Sequence, residues 1–120
     1  MTILTNVAVA LVALLHCGFL VLEMFLWTKP LGQRVFGLRP EVMASSAALA
    51  ANQGLYNGFL AAGLLWGLSL GEAGLSIKIF FLACVVVAGI FGAATAKRSI
   101  LWVQALPGAI ALILVLLTTP

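Results

Sequence analysis

Two ionisable side chains lie within the long apolar stretch at the start of the chain. Glu23 is an acid inside a run of residues long enough to cross a bilayer, and His16 precedes it by seven positions. In a helix this spacing places the two side chains within about 20° around the axis and about 10.5 Å apart along it. Such a pair can exchange protons, bind a cation, or act as general acid and base on a substrate held between the two groups.

A second set of polar residues lies in another apolar stretch. Asn52, Gln53, Tyr56 and Asn57 occupy positions i, i+1, i+4 and i+5, which cover an arc of roughly 140° on one side of a helix. Gln104 is the strongly polar side chain of the last apolar stretch. The candidate ligand-binding residues are therefore His16, Glu23, Asn52, Gln53, Tyr56, Asn57 and Gln104, and the candidate catalytic residues are His16 and Glu23.

Four apolar stretches position these residues. Hydrophobic residues make up 64% of the 120-residue chain and charged residues only 8%, whereas a soluble domain has about 25% charged residues. Each stretch approaches the ~20 residues that a helix needs to cross ~30 Å of hydrocarbon. The sequence therefore predicts one integral membrane domain over residues 1–120. It is an all-α, antiparallel bundle of four transmembrane helices at about 3–27, 46–70, 75–95 and 100–118.

The positions of the cations predict the orientation of the bundle. The first connection contains Lys29, Arg34 and Arg39, and the third contains Lys97 and Arg98, whereas the second contains Lys78. By the positive-inside rule, the first and third connections are cytoplasmic and both termini lie outside. The predicted location is the inner (plasma) membrane, with several crossings of the lipid bilayer.

The first connection is the longest, and its turn-forming residues predict irregular structure. Pro30, Gly32 and Gly37 break regular elements, while Pro40 can serve as the first residue of a helix that leads into the second span.

The chain contains no motif of the common soluble catalytic classes. Cys17 and Cys84 lie in the middle of different spans without CxxC spacing, which is typical of packing residues. Zinc-ligand spacing and a glycine-rich nucleotide loop are absent from the sequence. We therefore expect no metal and no cofactor. We also expect no nucleic-acid partner, because the net charge of +3 is explained by membrane topology.

Depth in the membrane relates the polar residues to one another. Counted from the cytoplasmic ends, Glu23 and the Asn52/Gln53 pair lie roughly 6–10 Å deep, and Gln104 lies about 6 Å deep. His16 and the Tyr56/Asn57 pair lie roughly 13–17 Å deep. We therefore expect one polar pocket in the cytoplasmic half, formed by the first, second and fourth spans. Pro107 should kink the fourth span there.

Small residues predict where helices approach closely. The second span has Ala50, Gly54, Gly58 and Ala62 at four-residue spacing, on the side opposite much of the polar stripe. This pattern favours close packing against a neighbour in the same chain or in another subunit. The third span, which lacks strongly polar side chains, should face lipid and pack through Ala88 and Gly92.

Three segments resemble a known family of small bacterial and fungal integral membrane proteins, domain of unknown function 1304. They are AANQGLYNGFLAAGLLWG at residues 50–67, LEMFLWTKPLG at 22–32 and FGL at 36–38. The resemblance spans most of the chain and implies the same membrane fold, but it supplies no reaction, substrate or partner. The motif positions that it implies are His16, Glu23, Trp27, Asn52, Gln53, Tyr56, Asn57 and Gln104.

Three functional hypotheses follow from the polar residues. In the first, Glu23 holds a proton or a lipophilic or cationic small molecule that the protein binds or transports, and a homodimer encloses the path. In the second, Glu23 and His16 are the acid and base of an intramembrane isomerase, cyclase or epoxide-opening enzyme acting on a lipid-soluble substrate. In the third, the protein is a non-catalytic subunit or assembly factor of a larger membrane complex.

Overall fold

The computed structural model describes residues 2–119, and within that range it contains helices and their connecting turns but no strand. The five α-helices are α1 (Thr2–Met24), α2 (Pro30–Phe36), α3 (Pro40–Ser69), α4 (Leu75–Thr95) and α5 (Leu106–Leu117). A 3₁₀ turn at Gly71–Gly74 precedes α4, and a π-helical turn at Leu101–Ala105 precedes α5. The prediction of an all-α protein is confirmed.

Two helical segments of the described chain are both long and apolar enough to cross a bilayer. They are Thr2–Met24, which is α1, and Gly71–Thr95, which is α4 with its preceding turn. The last apolar segment, Leu101–Leu117, is shorter. α3 has 30 residues, but its amide side chains make it less apolar. Two of the four predicted spans therefore meet the criteria of length and composition.

The first connection contains a short helix, α2, where the sequence predicts only turns. Pro30 is tolerated because it occupies the first turn, where a backbone N–H has no helical partner. The helix ends at Gly37, which adopts the left-handed conformation with φ of 68° and donates its N–H to the Gln33 carbonyl at 2.8 Å. α3 then begins at Pro40. Pro30 and Gly37 thus bound a helix, and Gly32 lies within it.

The last helical segment departs from α-helical geometry just before Pro107. Pro107 has no N–H to donate, and its ring crowds the carbonyl four residues earlier, which belongs to Val103. The backbone widens into the π-helical turn, in which the Leu106 N–H bonds the Leu101 carbonyl, five residues back. The distortion expected from Pro107 therefore takes the form of a π-helical turn.

The chain divides into two compact units, one formed by residues up to 14 together with residues from 60 onward, and the other by Leu15–Phe59. The first unit has an apolar core that excludes water from its helix contacts. The fully or almost fully buried side chains of this core are Val9, Val12, Ala13, Leu64, Leu82, Val85, Ala111 and Val115.

Within the first unit, α4 packs against the last helical segment through glycine. A Cβ atom on Gly89 would lie 2.7 Å from the Ala105 nitrogen, and one on Gly92 would lie 3.2 Å from the Ile100 Cγ2. The sequence predicts Ala88 and Gly92 as the packing residues of this helix. Gly92 does contact Ile100, but Ala88 is exposed, and the closest approach is at Gly89, one residue further along the helix.

Candidate functional site

The second unit brings α1 and α3 together through glycines of α3. A Cβ on Gly54 would lie 2.6 Å from Met24 Cγ, 3.1 Å from Glu23 Cβ and 3.2 Å from the Leu20 carbonyl oxygen. One on Gly58 would lie 2.6 Å from Leu20 Cδ1. Any side chain at Gly54 would therefore force the helices apart. The small-residue face of α3 has its neighbour in the same chain, and that neighbour is α1.

This close approach places Glu23 of α1 against Asn57 of α3. The Asn57 Nδ2 donates a hydrogen bond to Glu23 Oε1 at 2.5 Å. Both side chains are buried, with 7% of Glu23 and 9% of Asn57 exposed. Because Asn57 lies about 60° from Gly54 around the helix, the glycine contact turns this amide toward α1.

The carboxylate of Glu23 is bound by a neutral group. Asn57 donates a hydrogen bond to it through a side-chain amide, which carries no net charge. One amide donor satisfies one lone pair but does not cancel a negative charge, and a buried charge is costly unless it is compensated. The site can therefore hold a proton, or a cation that approaches the carboxylate.

The pairing differs in register from the one that depth predicts. Counting residues from the cytoplasmic ends places Glu23 level with Asn52 and Gln53, but its observed partner is Asn57, more than one helical turn further along α3. The glycine contact explains the difference, because it fixes α3 against α1 at Gly54. Chain counting places the helix ends with an error of about one turn, and only the packing contact sets the final register.

His16 is the most completely enclosed of the predicted site residues. None of its side-chain surface is exposed, and its ring meets that of Phe19 edge to face, with 5.2 Å between centroids and an interplanar angle of 72°. His16 and Glu23 of α1 are thus both buried. Seven residues of helix separate them by about 10.5 Å along the axis.

The polar stripe of α3 divides between two faces. Asn57 is buried against α1, whereas Asn52, Gln53 and Tyr56 are exposed. Tyr56 is 56% exposed, and its ring contacts that of Phe59 with 6.0 Å between centroids. These three side chains therefore differ in burial from the enclosed Glu23–Asn57 pair, although the arc predicted from sequence includes all four.

Gln104 belongs to the other compact unit. Its Nε2 donates to the Val85 carbonyl of α4 at 3.3 Å, and the side chain is half-buried. The amide thus links the π-helical turn to α4. The predicted participation of Gln104 in ligand binding is untouched by this contact and stays a prediction.

Trp27 makes a contact that the sequence analysis missed. Its Nε1 donates to the Ser46 hydroxyl at 3.2 Å, and its ring lies 4.6 Å from that of Phe36. Trp27 therefore connects the end of α1 with α2 and α3. The motif position of Trp27 gives no indication of such a partner, because residues 27 and 46 have no periodic relation.

Two further buried polar residues were also missed, both in the first unit. Lys78 is 8% exposed, and its stem lies against α3, where a Cβ on Gly67 would come within 2.7 Å of Lys78 Cγ. Thr5 is 4% exposed, and its hydroxyl has no hydrogen-bond partner among the described residues. The four-residue spacing of Gly63 and Gly67 was the available signal for the Lys78 contact.

The cysteines and the metal-ligating side chain types are the next candidates for chemistry. Cys17 and Cys84 are free and half-buried. Within residues 2–119, no three His, Cys, Asp or Glu side chains lie close enough together to hold a metal ion.

The arrangement of α1 and α3 lies within a region shared with other proteins. The family described as "Protein of unknown function (DUF1304)" matches residues 10–116. The chain belongs to this family. The matched region contains every predicted site residue, from His16 to Gln104, so membership confirms the resemblance seen in the sequence.

A protein of comparable length is similar to this chain over most of its sequence. The uncharacterized protein YpaA of Lactococcus lactis subsp. lactis (strain IL1403) is 32% identical over 106 residues, which cover 87% of this chain and 89% of YpaA. No solved structure gives a significant match.

Proposed function

We propose that this protein is a multi-pass inner-membrane protein that binds a small lipophilic or cationic molecule at Glu23 and transports it in exchange for protons. The observation that carries the proposal is a buried carboxylate whose hydrogen-bond partner, Asn57, is neutral. We further propose four antiparallel membrane crossings, by α1, α3, α4 and the segment Leu101–Leu117, with both termini outside.

The surface of the described chain supports a lipid environment. In the most apolar 18-residue stretches of the two long apolar segments, 28% and 22% of the residues are buried. The core helix of a soluble protein is mostly buried, so these helices expose too much apolar surface for water. Large side chains such as Leu11, Phe80, Val87 and Phe91 are more than half exposed. Lipid is the solvent that such a surface fits.

The lengths of the other two helices are compatible with crossing. α3 has 30 residues, which correspond to about 45 Å of helix, more than the ~30 Å of hydrocarbon. The final segment, at about 25 Å, is close to a short crossing. The cations of the two connections predicted to be cytoplasmic, at residues 29, 34, 39, 97 and 98, are all exposed, as the orientation requires.

The electrostatics of Glu23 favour binding over a purely adhesive role. A carboxylate in a membrane span costs about 2.5–3.5 kcal/mol, whereas an average interhelical hydrogen bond returns about 0.6 kcal/mol. Asn57 paired with a second amide would provide the same adhesion without the charge. An acid in this position is therefore explained by a cargo whose charge it compensates.

We also favour the binding hypothesis over the acid–base enzyme hypothesis. An enzyme of that kind needs one substrate in contact with both Glu23 and His16. The His16 side chain is fully enclosed, so a substrate would reach it only after the surrounding side chains move. The binding hypothesis requires access to Glu23 alone, and it needs no bond-making group.

The test uses purified protein in lipid vesicles with the lipophilic cation tetraphenylphosphonium as the first probe, followed by a panel of larger aromatic cations. Wild-type protein should bind the probe and release protons as it does so. It should also accumulate the probe when a pH gradient is imposed. Glu23→Gln keeps the shape and the contact with Asn57 but removes the charge, and should weaken binding by about tenfold or more.

The chain provides matched controls, because its other two acids are Glu41 and Glu72 and both are exposed. Glu41→Gln and Glu72→Gln remove the same charge elsewhere and should leave binding and flux unchanged. If Glu23→Gln binds and transports like the wild type, or if the wild type binds no cation of the panel, the proposal is wrong. An equal loss in all three variants would reveal a general charge effect and would also contradict it.

A further inference from the structure

A row of exposed residues follows the side of α3 that α1 does not contact. Ser45, Leu49, Asn52, Tyr56 and Phe59, here called the α3 seam, are all exposed. Their spacing alternates between four and three residues. This 3.5-residue period is the pattern by which two helices pack side by side along a left-handed crossing.

The α3 seam is distinct from the face that packs within the chain. At 100° per residue, the seam is centred about 180° from Gly54, the residue of closest approach to α1. The contact with α1 therefore leaves the seam open. Leu49 is 75% exposed and Phe59 is 55% exposed, so large side chains at both ends are uncovered.

The polar groups of the seam require a partner. The Asn52 side chain forms no hydrogen bond with any described residue, and neither does that of its exposed neighbour Gln53. The Ser45 hydroxyl donates to the Val42 carbonyl at 3.1 Å. In a bilayer, an amide that faces acyl chains forfeits its hydrogen bonds, which is costly. The uncovered amide indicates a polar partner at this depth.

We propose that the α3 seam is the interface at which a second copy of this chain packs. In a membrane, two copies with the same topology are related by a two-fold axis along the bilayer normal, so their α3 helices run parallel and identical positions meet. Asn52 then faces Asn52 of the second copy. An amide carries both a donor and an acceptor, so each satisfies the other.

The composition of the seam favours this occupant over a different protein. The seam contains no charged residue, so it offers no complementary charge for an unlike partner to recognise. A single asparagine in an otherwise apolar or aromatic heptad pattern fixes register and limits the assembly to one stoichiometry. The proposal is independent of cation binding at Glu23, which lies on the opposite side of α3.

Cysteine cross-linking in lipid vesicles tests the geometry. The background protein carries Cys17→Ala and Cys84→Ala. Single cysteines are introduced at seam positions as Leu49→Cys, Asn52→Cys, Tyr56→Cys and Phe59→Cys. The controls, Leu55→Cys and Ala62→Cys, are at exposed positions about 80–100° around the helix from Gly54. Oxidation should link seam variants into dimers several-fold faster than the control variants. Faster linkage at the controls would overturn the proposal.

Single-molecule photobleaching of the labelled wild type in large vesicles measures the stoichiometry without relying on any variant's fold. Two steps per particle are expected, and single steps across all protein-to-lipid ratios would overturn the proposal. Asn52→Leu should raise the dimer dissociation constant about 3- to 20-fold, whereas Leu55→Ala should not change it. A stoichiometric companion of different sequence, bound where the second copy should be, would also contradict the proposal.

Discussion

Gly54→Ala is the sharpest test of the contact that creates the Glu23 site. The added Cβ would lie 2.6 Å from Met24 Cγ, 3.1 Å from Glu23 Cβ and 3.2 Å from the Leu20 carbonyl oxygen. The Met24 side chain can change rotamer. The other two atoms are fixed by the α1 backbone, so the helices themselves must separate by a few tenths of an ångström or more.

The cost in stability of the clash at Gly54→Ala can be separated from the intrinsic preference of alanine for helices. Overpacking of this kind costs about 1–3 kcal/mol, while replacing a helical glycine by alanine gains about 0.5–1 kcal/mol. Gly18 of α1 has no atom within 4 Å of an added Cβ, so Gly18→Ala receives the gain without the clash. The Gly54→Ala protein should therefore be about 1–3 kcal/mol less stable than the Gly18→Ala protein.

The measurement is the free energy of unfolding in mixed detergent micelles, followed by circular dichroism. Gly58→Ala is an intermediate case, because its added Cβ would meet Leu20 Cδ1, the end of a flexible side chain, at 2.6 Å. The expected order of stability is Gly18→Ala, then Gly58→Ala, then Gly54→Ala. A Gly54→Ala protein as stable as Gly18→Ala would refute the close contact of α1 with α3, and with it the placement of Asn57 on Glu23.

Three other substitutions test separate contacts by the same unfolding measurement. Gly89→Ala places a Cβ 2.7 Å from the Ala105 nitrogen and should cost about 1–3 kcal/mol; an unchanged stability would contradict that packing. Trp27→Phe removes the hydrogen bond to Ser46 and should cost about 1 kcal/mol. In a double-mutant cycle with Ser46→Ala, full additivity would show that the bond contributes nothing. Thr5→Val removes a buried hydroxyl without a partner in the described chain and should stabilise by about 1 kcal/mol, so a clear loss of stability would reveal a missed partner.

The sequence was sufficient for the features that depend on composition. Long apolar runs predict helices, and each of the four runs overlaps an observed helical segment and extends beyond it by at most three residues. Pro40 begins α3, as its fixed φ allows. The inward position of Glu23 also follows from the sequence, since an acid in an apolar helix has only one inexpensive direction to face.

The features that depend on contact between helices could not be read in the same way. The polar arc of α3 contains three amide side chains and a tyrosine, and nothing in their identity tells which one faces α1. That choice is made by Gly54, because the closest approach of two backbones determines which neighbouring side chains are enclosed. Asn57 lies near that contact line and Asn52 lies across the helix from it. Membership of a polar pattern thus predicts which side chain faces α1 less well than the angle of that side chain around the helix from the nearest close-packing glycine.

The same angular argument explains why α3 carries more polar residues than the Glu23 site uses. A helix that contacted only α1 would need one amide, on the Gly54 side, and could be apolar elsewhere. α3 instead has Asn52 and Tyr56 on the side away from Gly54, where both are exposed. In lipid this arrangement is stable only if the outer side has a neighbour as well. The division of the polar stripe is therefore explained by two different helix contacts, the observed one with α1 that encloses Glu23 and the proposed one between copies along the α3 seam. Substitutions at Asn57 should alter cation binding, whereas substitutions at Asn52 should alter assembly.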